Sequence, residues 1–289
     1  MPSVKEENGE MRPSQWAGRT VAVVGTRLSV EKAVVDRLES LGASVRHVKC
    51  ADGGGAEGEI DLWDIDLLRE KIRGSDAVFC TIGKSCFEEA DDATTWAMNV
   101  DGVKLLCLAM EEEGVSRLVF LSSILCLGRQ TTLARVDLGT PYLSDDDRGT
   151  WERSLFRGEM EVWKMAERGI GVSTVCAGLI VEELRGPIEQ FTAKGGHGMP
   201  PMRSGFATAE DVARAMCEVE VGVRSMCVVR NASVTEIAKE ICPAAEFRKV
   251  GLGLAKIMAR MPKKLAGRWM FGTGIGRLIY SQDEYETSG

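Results

Sequence analysis

Hydrophobic residues along this chain occur in two patterns, short continuous runs and longer stretches with a spacing of three or four residues. The short runs, such as TVAVVG, are typical of strands buried on both faces, and the spaced stretches are typical of amphipathic helices. In chain order, the patterns predict strands over 20–25, 44–49, 76–83, 117–123 and 171–178, and helices over 30–41, 65–73, 93–113, 152–168, 207–220 and 233–242. This alternation predicts an α/β fold with a doubly wound parallel sheet and a small α-rich C-terminal subdomain.

The same pattern divides the chain into three predicted parts. Residues 1–18 are polar and predict an N-terminal tail, whereas 19–182 hold the alternating strands and helices of a Rossmann-like nucleotide-binding domain. Residues 183–289 predict a small C-terminal domain, from which the helix over 207–220 is expected to pack back on the sheet. Because GGHGMPPMRSG is rich in glycine and proline, we predict a loop region over 182–205.

Charge is distributed unevenly along the chain. The net charge at pH 7 is −7, but residues 247–281 contain eight lysines and arginines and no acidic residue, which leaves −15 for the remainder. This basic amphipathic segment predicts contact with other protein subunits or with an anionic membrane surface, and a solvated basic helix face is the alternative. No nucleic-acid partner is expected, because the acidic remainder would be repelled by a phosphate backbone.

The cysteines indicate the compartment. There are nine, an odd number, with no C-x-x-C pair, and most lie in apolar runs, so we predict free buried thiols in an intracellular reducing compartment, either the cytoplasm or the mitochondrial matrix. With only two histidines and no close spacing of ligands, no metal site is predicted. No apolar stretch reaches the roughly 18 residues of a membrane span.

Five short motifs, in order and spacing, resemble the extended and atypical short-chain dehydrogenase/reductase family, which includes NAD(P)-dependent epimerases and dihydroflavonol reductases. They are VAVVGT at 21–26, Asp61-Leu62, NVDG at 99–102, LSSILCLG at 121–128 and EDVARA at 210–215. The resemblance covers about residues 20 to 245. It implies a nucleotide-binding Rossmann-like fold in which Asp61 and Leu62 contact the adenine of the cofactor.

The phosphate-binding loop departs from this family. The resemblance implies T-G-x-x-G-x-x-G, in which glycines let the backbone approach the pyrophosphate. Here Gly25 is retained, but Leu28 and Glu31 stand at the other two glycine positions, and a carboxylate there repels phosphate. Arg27 would offset this repulsion, and Lys49 would pair with a 2′-phosphate. We therefore expect no cofactor, or NADP(H) bound weakly or structurally. The cofactor-binding candidates are Gly25, Thr26, Arg27, Lys49, Asp61 and Leu62.

The helix that would carry the catalytic residues departs further from the family's pattern. The family's pattern is Y-x-x-S-K-x-x-A-E, and the matching stretch is WERSLFRGE at 151–159, which puts Trp151 at the tyrosine and Leu155 at the lysine. An indole N–H is only a donor, and leucine carries no charge, so no catalytic residue is predicted. Ser123 and Asn99 are remnants of the family's site. We interpret the apolar pair as core that fills the former active site, with an apolar ligand pocket as the alternative.

These departures favour a pseudoenzyme, although the sequence leaves catalysis open. The first hypothesis is a non-catalytic binding or scaffold subunit of a larger assembly, at a membrane surface in the manner of the dehydrogenase-like accessory subunit of respiratory complex I. The second hypothesis is an NADP-dependent oxidoreductase with atypical catalytic residues. The third is a protein that senses NADP(H) without turnover.

Overall fold

The computed structural model describes residues 14–52, 57–84, 92–128, 135–142, 149–199, 202–251 and 284–288. The strands are β1 Thr20–Gly25, β2 Ser44–Ala51, β3 Ile60–Asp61, β4 Ala77–Thr81, β5 Arg117–Ser123, β6 Gly171–Ala177, β7 Leu179–Ile180, β8 Gly198–Met199, β9 Arg203–Ala207, β10 Arg224–Cys227, β11 Arg230–Ser233 and β12 Arg248–Lys249. The helices are α1 Leu28–Ser40, α2 Ile65–Ile72, α3 Asp92–Trp96, α4 Gly102–Glu112, α5 Thr150–Glu167, α6 Val181–Ala193, α7 Ala209–Glu218 and α8 Val234–Ile241. A π-helical turn, Ala97–Asp101, joins α3 to α4, and a 3₁₀ turn, Ile124–Cys126, follows β5.

A seven-stranded parallel sheet forms the centre of the molecule, in the order β10-β6-β5-β4-β1-β2-β3. Alternate side chains of each strand bury against opposite layers of helices: Val21 and Val23 face α1 and α7, whereas Ala22 and Val24 face α2, α4 and α5. The predicted α/β fold with a doubly wound parallel sheet is confirmed. Because parallel strands end at one edge, the loops after β1, β4, β5 and β6 meet there.

The remaining elements form a smaller layer beside that edge. A three-stranded sheet, β11-β9-β7, and a two-stranded sheet, β12-β8, pack with α6 and α8 around a separate apolar cluster. The helix predicted over 207–220 lies at Ala209–Glu218 and packs against α1 on the large sheet, through Val212 and Met216 among others.

The predicted loop region over 182–205 is wrong. Its first part is α6, a helix of 13 residues, and its last part begins β9. Leu184, Ile188 and Phe191 have helical spacing and are buried together in the apolar cluster of the smaller layer. The burial of this face outweighs the cost of Pro187 inside the helix.

The predicted N-terminal tail also needs correction at its end. Trp16 is 5% exposed, its indole Nε1 donates to the Cys217 carbonyl at 2.7 Å, and its ring meets Phe79 edge-on with centroids 5.0 Å apart. An aromatic anchor of this kind ties residues 14–18 to the sheet and α7. Residues 1–13 of the predicted tail lie outside the described residues.

The last described residues, 284–288, are held as an extended peptide, which we call the C-terminal peptide. Tyr285 is 2% exposed, and Asn231 both donates to its carbonyl and accepts from its N–H at 2.8 Å. Val136 pairs with the peptide backbone on both sides, and Ser288 N–H donates to the Val228 carbonyl. Most of the predicted basic segment 247–281 lies outside the described residues, which end at Gly251 and resume at Glu284.

The cysteines and the helices of the described part bear on the expectations about thiols and membrane spans. Eight cysteines in the described part are free thiols, and all of these except Cys242 are buried. Among the described helices, none is long and apolar enough to cross a membrane.

Candidate functional site

A small, solvent-open cleft lies at the carboxyl edge of the large sheet. Residues from both layers of the fold line it, which places the sequence-predicted Arg27, Ser123, Trp151 and Leu155 at one site. The lining consists of Arg27, Lys84, Ser122, Ser123, Trp151, Leu155, Ala177, Gly178, Leu179, Ile180 and Glu183. Its charged members are two cations and one carboxylate.

The end of β1 is tightly packed at Gly25. A Cβ atom on this residue would lie 1.9 Å from Thr81 Oγ1 and 2.8 Å from Glu31 Oε1, so no larger residue fits without a shift. Thr26 follows, and its hydroxyl donates to the Gly83 carbonyl at 2.7 Å and accepts from the Gly83 N–H at 3.0 Å. The loop is therefore bound to the end of β4 by its own side chain.

Glu31 is buried beside this loop, in the first turn of α1. Its side chain is 2% exposed, and Oε2 lies 2.9 Å from His47 Nε2 on β2. Its other oxygen, Oε1, and the hydroxyl of Thr81 are both buried without a hydrogen-bond partner. Burial, and secondly the negative charge of Glu31, raise the pKa of Cys50 to about 12. The carboxylate thus lies against the Gly25 backbone, where it adds negative charge close to the loop.

Arg27, the residue before α1, turns toward the smaller layer. Its Nε donates to Glu183 Oε1 at 2.7 Å, and the two side chains are 14% and 11% exposed. The guanidinium is thus engaged by a carboxylate from the first turn of α6. The side chain of Leu28, which we expected to obstruct the loop, lies outside the described part of the chain.

The other predicted cofactor residues lie along the neighbouring strand ends. Lys49 pairs in register with Gly25, two residues before the end of β2, and its side chain is partly buried. Asp61 Oδ1 accepts from the Trp63 N–H at 3.1 Å. Leu62 is fully buried, and its N–H donates to the Ala51 carbonyl. The side chain and N–H of Leu62 are therefore both occupied within the protein.

Trp151 and Leu155 lie one turn apart on α5 and form one wall of the cleft. The indole Nε1 of Trp151 donates to the Lys84 carbonyl at 3.0 Å, and the ring is 7% exposed. Leu155 is partly buried against the apolar cluster of the smaller layer. Ser123 lines the same cleft, and its hydroxyl accepts from the Leu125 N–H at 3.3 Å, which caps the 3₁₀ turn after β5.

Asn99 connects this wall to the end of β4. Its Oδ1 accepts from the Lys84 N–H at 2.8 Å, and its Nδ2 donates to Ser154 Oγ at 2.8 Å. The serine hydroxyl in turn donates to the Trp151 carbonyl. Gly158 permits this contact, because a Cβ there would lie 2.2 Å from the Asn99 carbonyl oxygen. Asn99 therefore uses both ends of its amide to hold α5 against the π-helical turn.

Behind the cleft, Glu159 of α5 is buried in a dense set of donors. Arg224 on β10 meets both carboxylate oxygens, with Nε to Oε1 at 2.7 Å and a terminal nitrogen to Oε2 at 3.0 Å. Ser122 Oγ donates to Oε2 at 2.5 Å, and the Trp163 indole donates to Oε1 at 3.2 Å. This network fixes α5 relative to β5 and to the edge strand of the large sheet.

Two tyrosines fall within the described residues, and neither lines the cleft. Tyr142 stacks on Phe156 with ring centroids 3.8 Å apart, and Tyr285 belongs to the C-terminal peptide. Sequence reasoning missed Lys84 and Glu183 as cleft residues. Lys84 directly follows a predicted strand end, which was an available signal, but Glu183 lay in the segment that we predicted to be a loop region. The described residues hold no cluster of histidine, cysteine and acidic side chains suited to a metal.

Comparisons with known proteins agree with this architecture. The sequence model of the NAD dependent epimerase/dehydratase family matches residues 18–221. The solved structure of gox2253 is similar with a TM-score of 0.72 at 20% identity, over 93% of this chain and 89% of that one. A dTDP-glucose 4,6-dehydratase from Streptomyces venezuelae, a double mutant with NAD and DAU bound, has a TM-score of 0.66 at 15% identity, over 79% and 84% of the two chains.

A third similar structure is a short-chain dehydrogenase/reductase superfamily protein from Agrobacterium tumefaciens with bound NAD. Its TM-score is 0.61 at 21% identity, over 80% of this chain and 85% of that one. A comparison with curated protein sequences returned no significant match. At these identities, the structural likeness bears on the fold.

Proposed function

Since the chain belongs to the NAD dependent epimerase/dehydratase family, we propose that it is a non-catalytic member that acts as a binding or scaffold subunit of a larger protein assembly. The observation that carries this proposal is Trp151. In the resemblance set out above, this position holds the tyrosine that transfers the proton. Here an indole occupies it, buried in the cleft wall and already donating to the Lys84 carbonyl.

The chemistry of the wall supports the proposal. An indole N–H donates a hydrogen bond but does not act as an acid or base near neutral pH. Leu155, one turn later, brings no charge that could lower the pKa of a neighbouring acid. The hydroxyl of Ser123 caps a turn, and on its own it has no base to take its proton.

The phosphate loop supports it as well. In the described conformation, the residues of the loop do not fit a dinucleotide pyrophosphate. Glu31 places a carboxylate against Gly25, Thr26 is bound to Gly83, and Arg27 is paired with Glu183. Two similar structures contain NAD, so a nucleotide in this cleft is compatible with the fold. We propose that the chain binds no dinucleotide, or binds NADP(H) only weakly or structurally with Lys49 at its 2′-phosphate, and that none is turned over.

A titration tests this part of the proposal. The purified protein is mixed with NADPH and with NADP, and the fluorescence and the melting temperature are followed. A site filled at 100 times its Kd would add about 2.7 kcal/mol to the free energy of unfolding. We expect a smaller shift and no hydride transfer to a panel of carbonyl compounds. Hydride transfer to any of them would overturn the proposal.

Lys84 and Ser123 favour a second candidate, an NADP-dependent oxidoreductase with atypical catalytic residues. Both line the cleft, and together they offer an ammonium and a hydroxyl. If this candidate holds, Lys84→Met and Ser123→Ala will each abolish turnover while nucleotide binding persists. Tight nucleotide binding without turnover in the wild-type protein would instead support a nucleotide-sensing role.

The charge of the basic segment 247–281 supports a proposal about the partner of this protein. Its eight cations in an otherwise acidic chain favour an acidic protein subunit or an anionic membrane surface. Affinity purification at native abundance should recover stoichiometric partners, and a monomer without partners would contradict the scaffold role. For the membrane surface, flotation with phosphatidylserine vesicles should weaken when four lysines and arginines are made neutral. These are Lys256, Arg260, Lys263 and Lys264.

A further inference from the structure

The C-terminal peptide lies on the smaller layer in the manner of a bound ligand, with its backbone hydrogen-bonded on both sides. On one side, the Glu284 carbonyl accepts from the Val136 N–H at 2.7 Å, and the Glu286 N–H donates to the Val136 carbonyl at 2.9 Å. On the other side, the side-chain amide of Asn231 bonds to both the N–H and the carbonyl of Tyr285 at 2.8 Å. Main-chain bonds of this kind are how proteins recognise an added extended peptide.

The ring of Tyr285 is received by the apolar cluster of the smaller layer, where it is buried. Gly205 on β9 leaves room for it, because a Cβ on this glycine would lie 3.2 Å from Cδ2 of the ring and 2.8 Å from the Val228 side chain. Asn231 lies opposite Gly205 in the ladder between β11 and β9, so the amide that holds the backbone and the space for the ring are in register. This position therefore selects a large planar side chain by shape.

Charge adds a preference at the residue before the tyrosine. A terminal nitrogen of Arg203, on β9, meets Glu284 Oε1 at 3.3 Å. Arg203 also lies 4.0 Å from Glu236, so it keeps an acidic neighbour when the peptide leaves. Beside the peptide, the apolar side chains of Leu138 and Val229 are 36% and 45% exposed. They offer further contact to a peptide that is longer than the five described residues.

We infer that these contacts form a peptide site, filled here by the chain's own end, which accepts in exchange a segment of a partner protein: an extended segment with an acidic residue directly before a tyrosine. The peptide site consists of Val136, Arg203, Gly205, Val228 and Asn231. None of these five residues lines the cleft, so the inference goes beyond the proposed function and does not depend on it. Because β9 and β11 pair with each other, most of the site is held together without the peptide.

Binding of a labelled peptide to full-length variants tests the inference. The probe is fluorescein-labelled QDEYETSG, the sequence of residues 282–289, and its anisotropy reports binding. In the wild-type chain, the attached peptide competes with the probe at an effective concentration on the order of millimolar. Tyr285→Ala weakens this competitor, so the variant should bind the probe about tenfold more tightly than wild type. Thr287→Ala, at an exposed position of the same peptide, is the matched control and should bind as wild type does.

Two changes test the chemistry of recognition. A probe with alanine in place of the tyrosine should bind Tyr285→Ala about tenfold more weakly, and a probe with glutamine at the preceding acid about twofold more weakly. Asn231→Ala, added to Tyr285→Ala, should abolish binding of the original probe, because both backbone bonds are lost.

Melting curves show whether each variant folds. If Tyr285→Ala does not fold, Glu284→Gln keeps the buried ring and weakens only the contact with Arg203, so it should bind the probe about twofold more tightly than wild type. An affinity equal to that of wild type in the folded variant, equal binding of the probe without tyrosine, or binding that persists without Asn231 would overturn the inference.

Discussion

Two glutamates with the same burial behave differently in this structure. Glu159 and Glu31 are each 2% exposed. Glu159 meets Arg224 through both oxygens and also accepts from a hydroxyl and an indole. In the described part of the chain, Glu31 Oε2 meets His47, and Glu31 Oε1 has no hydrogen-bond partner. Two equally buried carboxylates therefore differ in how well they are compensated. Both oxygens of Glu159 have partners, whereas one oxygen of Glu31 has none.

The two sides of the cleft differ in how completely their buried polar groups are hydrogen-bonded. On the α5 side, polar groups are hydrogen-bonded into a network that fixes the helix to the sheet, which is what a structural core requires. On the β1–α1 side, the unsatisfied oxygens of Glu31 and Thr81 crowd around Gly25. Substitutions that stabilise a protein are commonly found where such groups can be satisfied or removed.

The largest change in the free energy of unfolding is expected from Glu159→Gln. This change leaves the charge of Arg224 without its partner in a mostly buried position, and the free energy of unfolding should fall by about 3 kcal/mol. Urea unfolding measures it. The control is Glu161→Gln on the same helix, whose exposed pair with Lys164 should contribute less than about 1 kcal/mol. Equal losses in both variants would remove the contrast between the compensated and the exposed carboxylates.

A smaller loss is expected from Gly158→Ala. The new Cβ would lie 2.2 Å from the Asn99 carbonyl oxygen, and because this is backbone, α5 must move away, at about 2 kcal/mol. Gly102→Ala is the matched control, since its Cβ would meet the end of the Leu62 side chain, which can shift. Its unfolding free energy should change by less than about 1 kcal/mol. If the two variants unfold alike in urea, the close approach of α5 does not depend on Gly158.

An increase in the free energy of unfolding is expected from Glu31→Gln. The amide replaces a carboxylate whose Oε1 is buried without a partner, and its oxygen can still accept from His47. At pH 8, this should raise the free energy of unfolding by about 1 kcal/mol. Glu39→Gln, exposed on the same helix, should leave it within about 0.5 kcal/mol of wild type. A clear loss of stability in Glu31→Gln would show that the carboxylate is better compensated than its contacts indicate.

The smallest effect on stability concerns Glu113, whose side chain is 8% exposed between Arg69 and Arg73. Its hydrogen bond with Arg73, and further contacts with Arg69, lower its pKa from the ordinary 4.5 to about 2. Because the folded pKa is depressed, its contribution is complete above pH 4.5 and is lost as the pH falls toward 2. The melting-temperature difference between wild type and Glu113→Gln should be constant above that window and vanish within it. A difference independent of pH would contradict the assignment.

Much of the fold could be predicted because burial leaves a regular pattern. The strand over 117–123 has the predicted bounds, since its apolar run lies between polar residues. The helix at α6 was missed because the glycine- and proline-rich GGHGMPPMRSG decided the prediction for the whole segment, although Leu184, Ile188 and Phe191 carried the helical spacing. The short strands of the smaller layer have too few residues to show a period.

The candidate site could be predicted only as separate pieces. The motifs indicated Arg27, Ser123 and Trp151, and the structure lines one cleft with them. Their partners depend on tertiary contacts that no local pattern encodes. Glu183 reaches Arg27 from 156 positions away, and His47 meets Glu31 only because β2 runs parallel to β1 in a particular register.

The C-terminal peptide connects segments of the fold that are far apart in sequence, around Val136 and around Val228 to Asn231. Tyr285 is buried, and backbone bonds to Val136 and Val228 hold the residues around it as a bound ligand would be held. Residues 284–288 therefore contribute to the fold as a separately bound peptide would, with Asn231 bonded to both the N–H and the carbonyl of Tyr285.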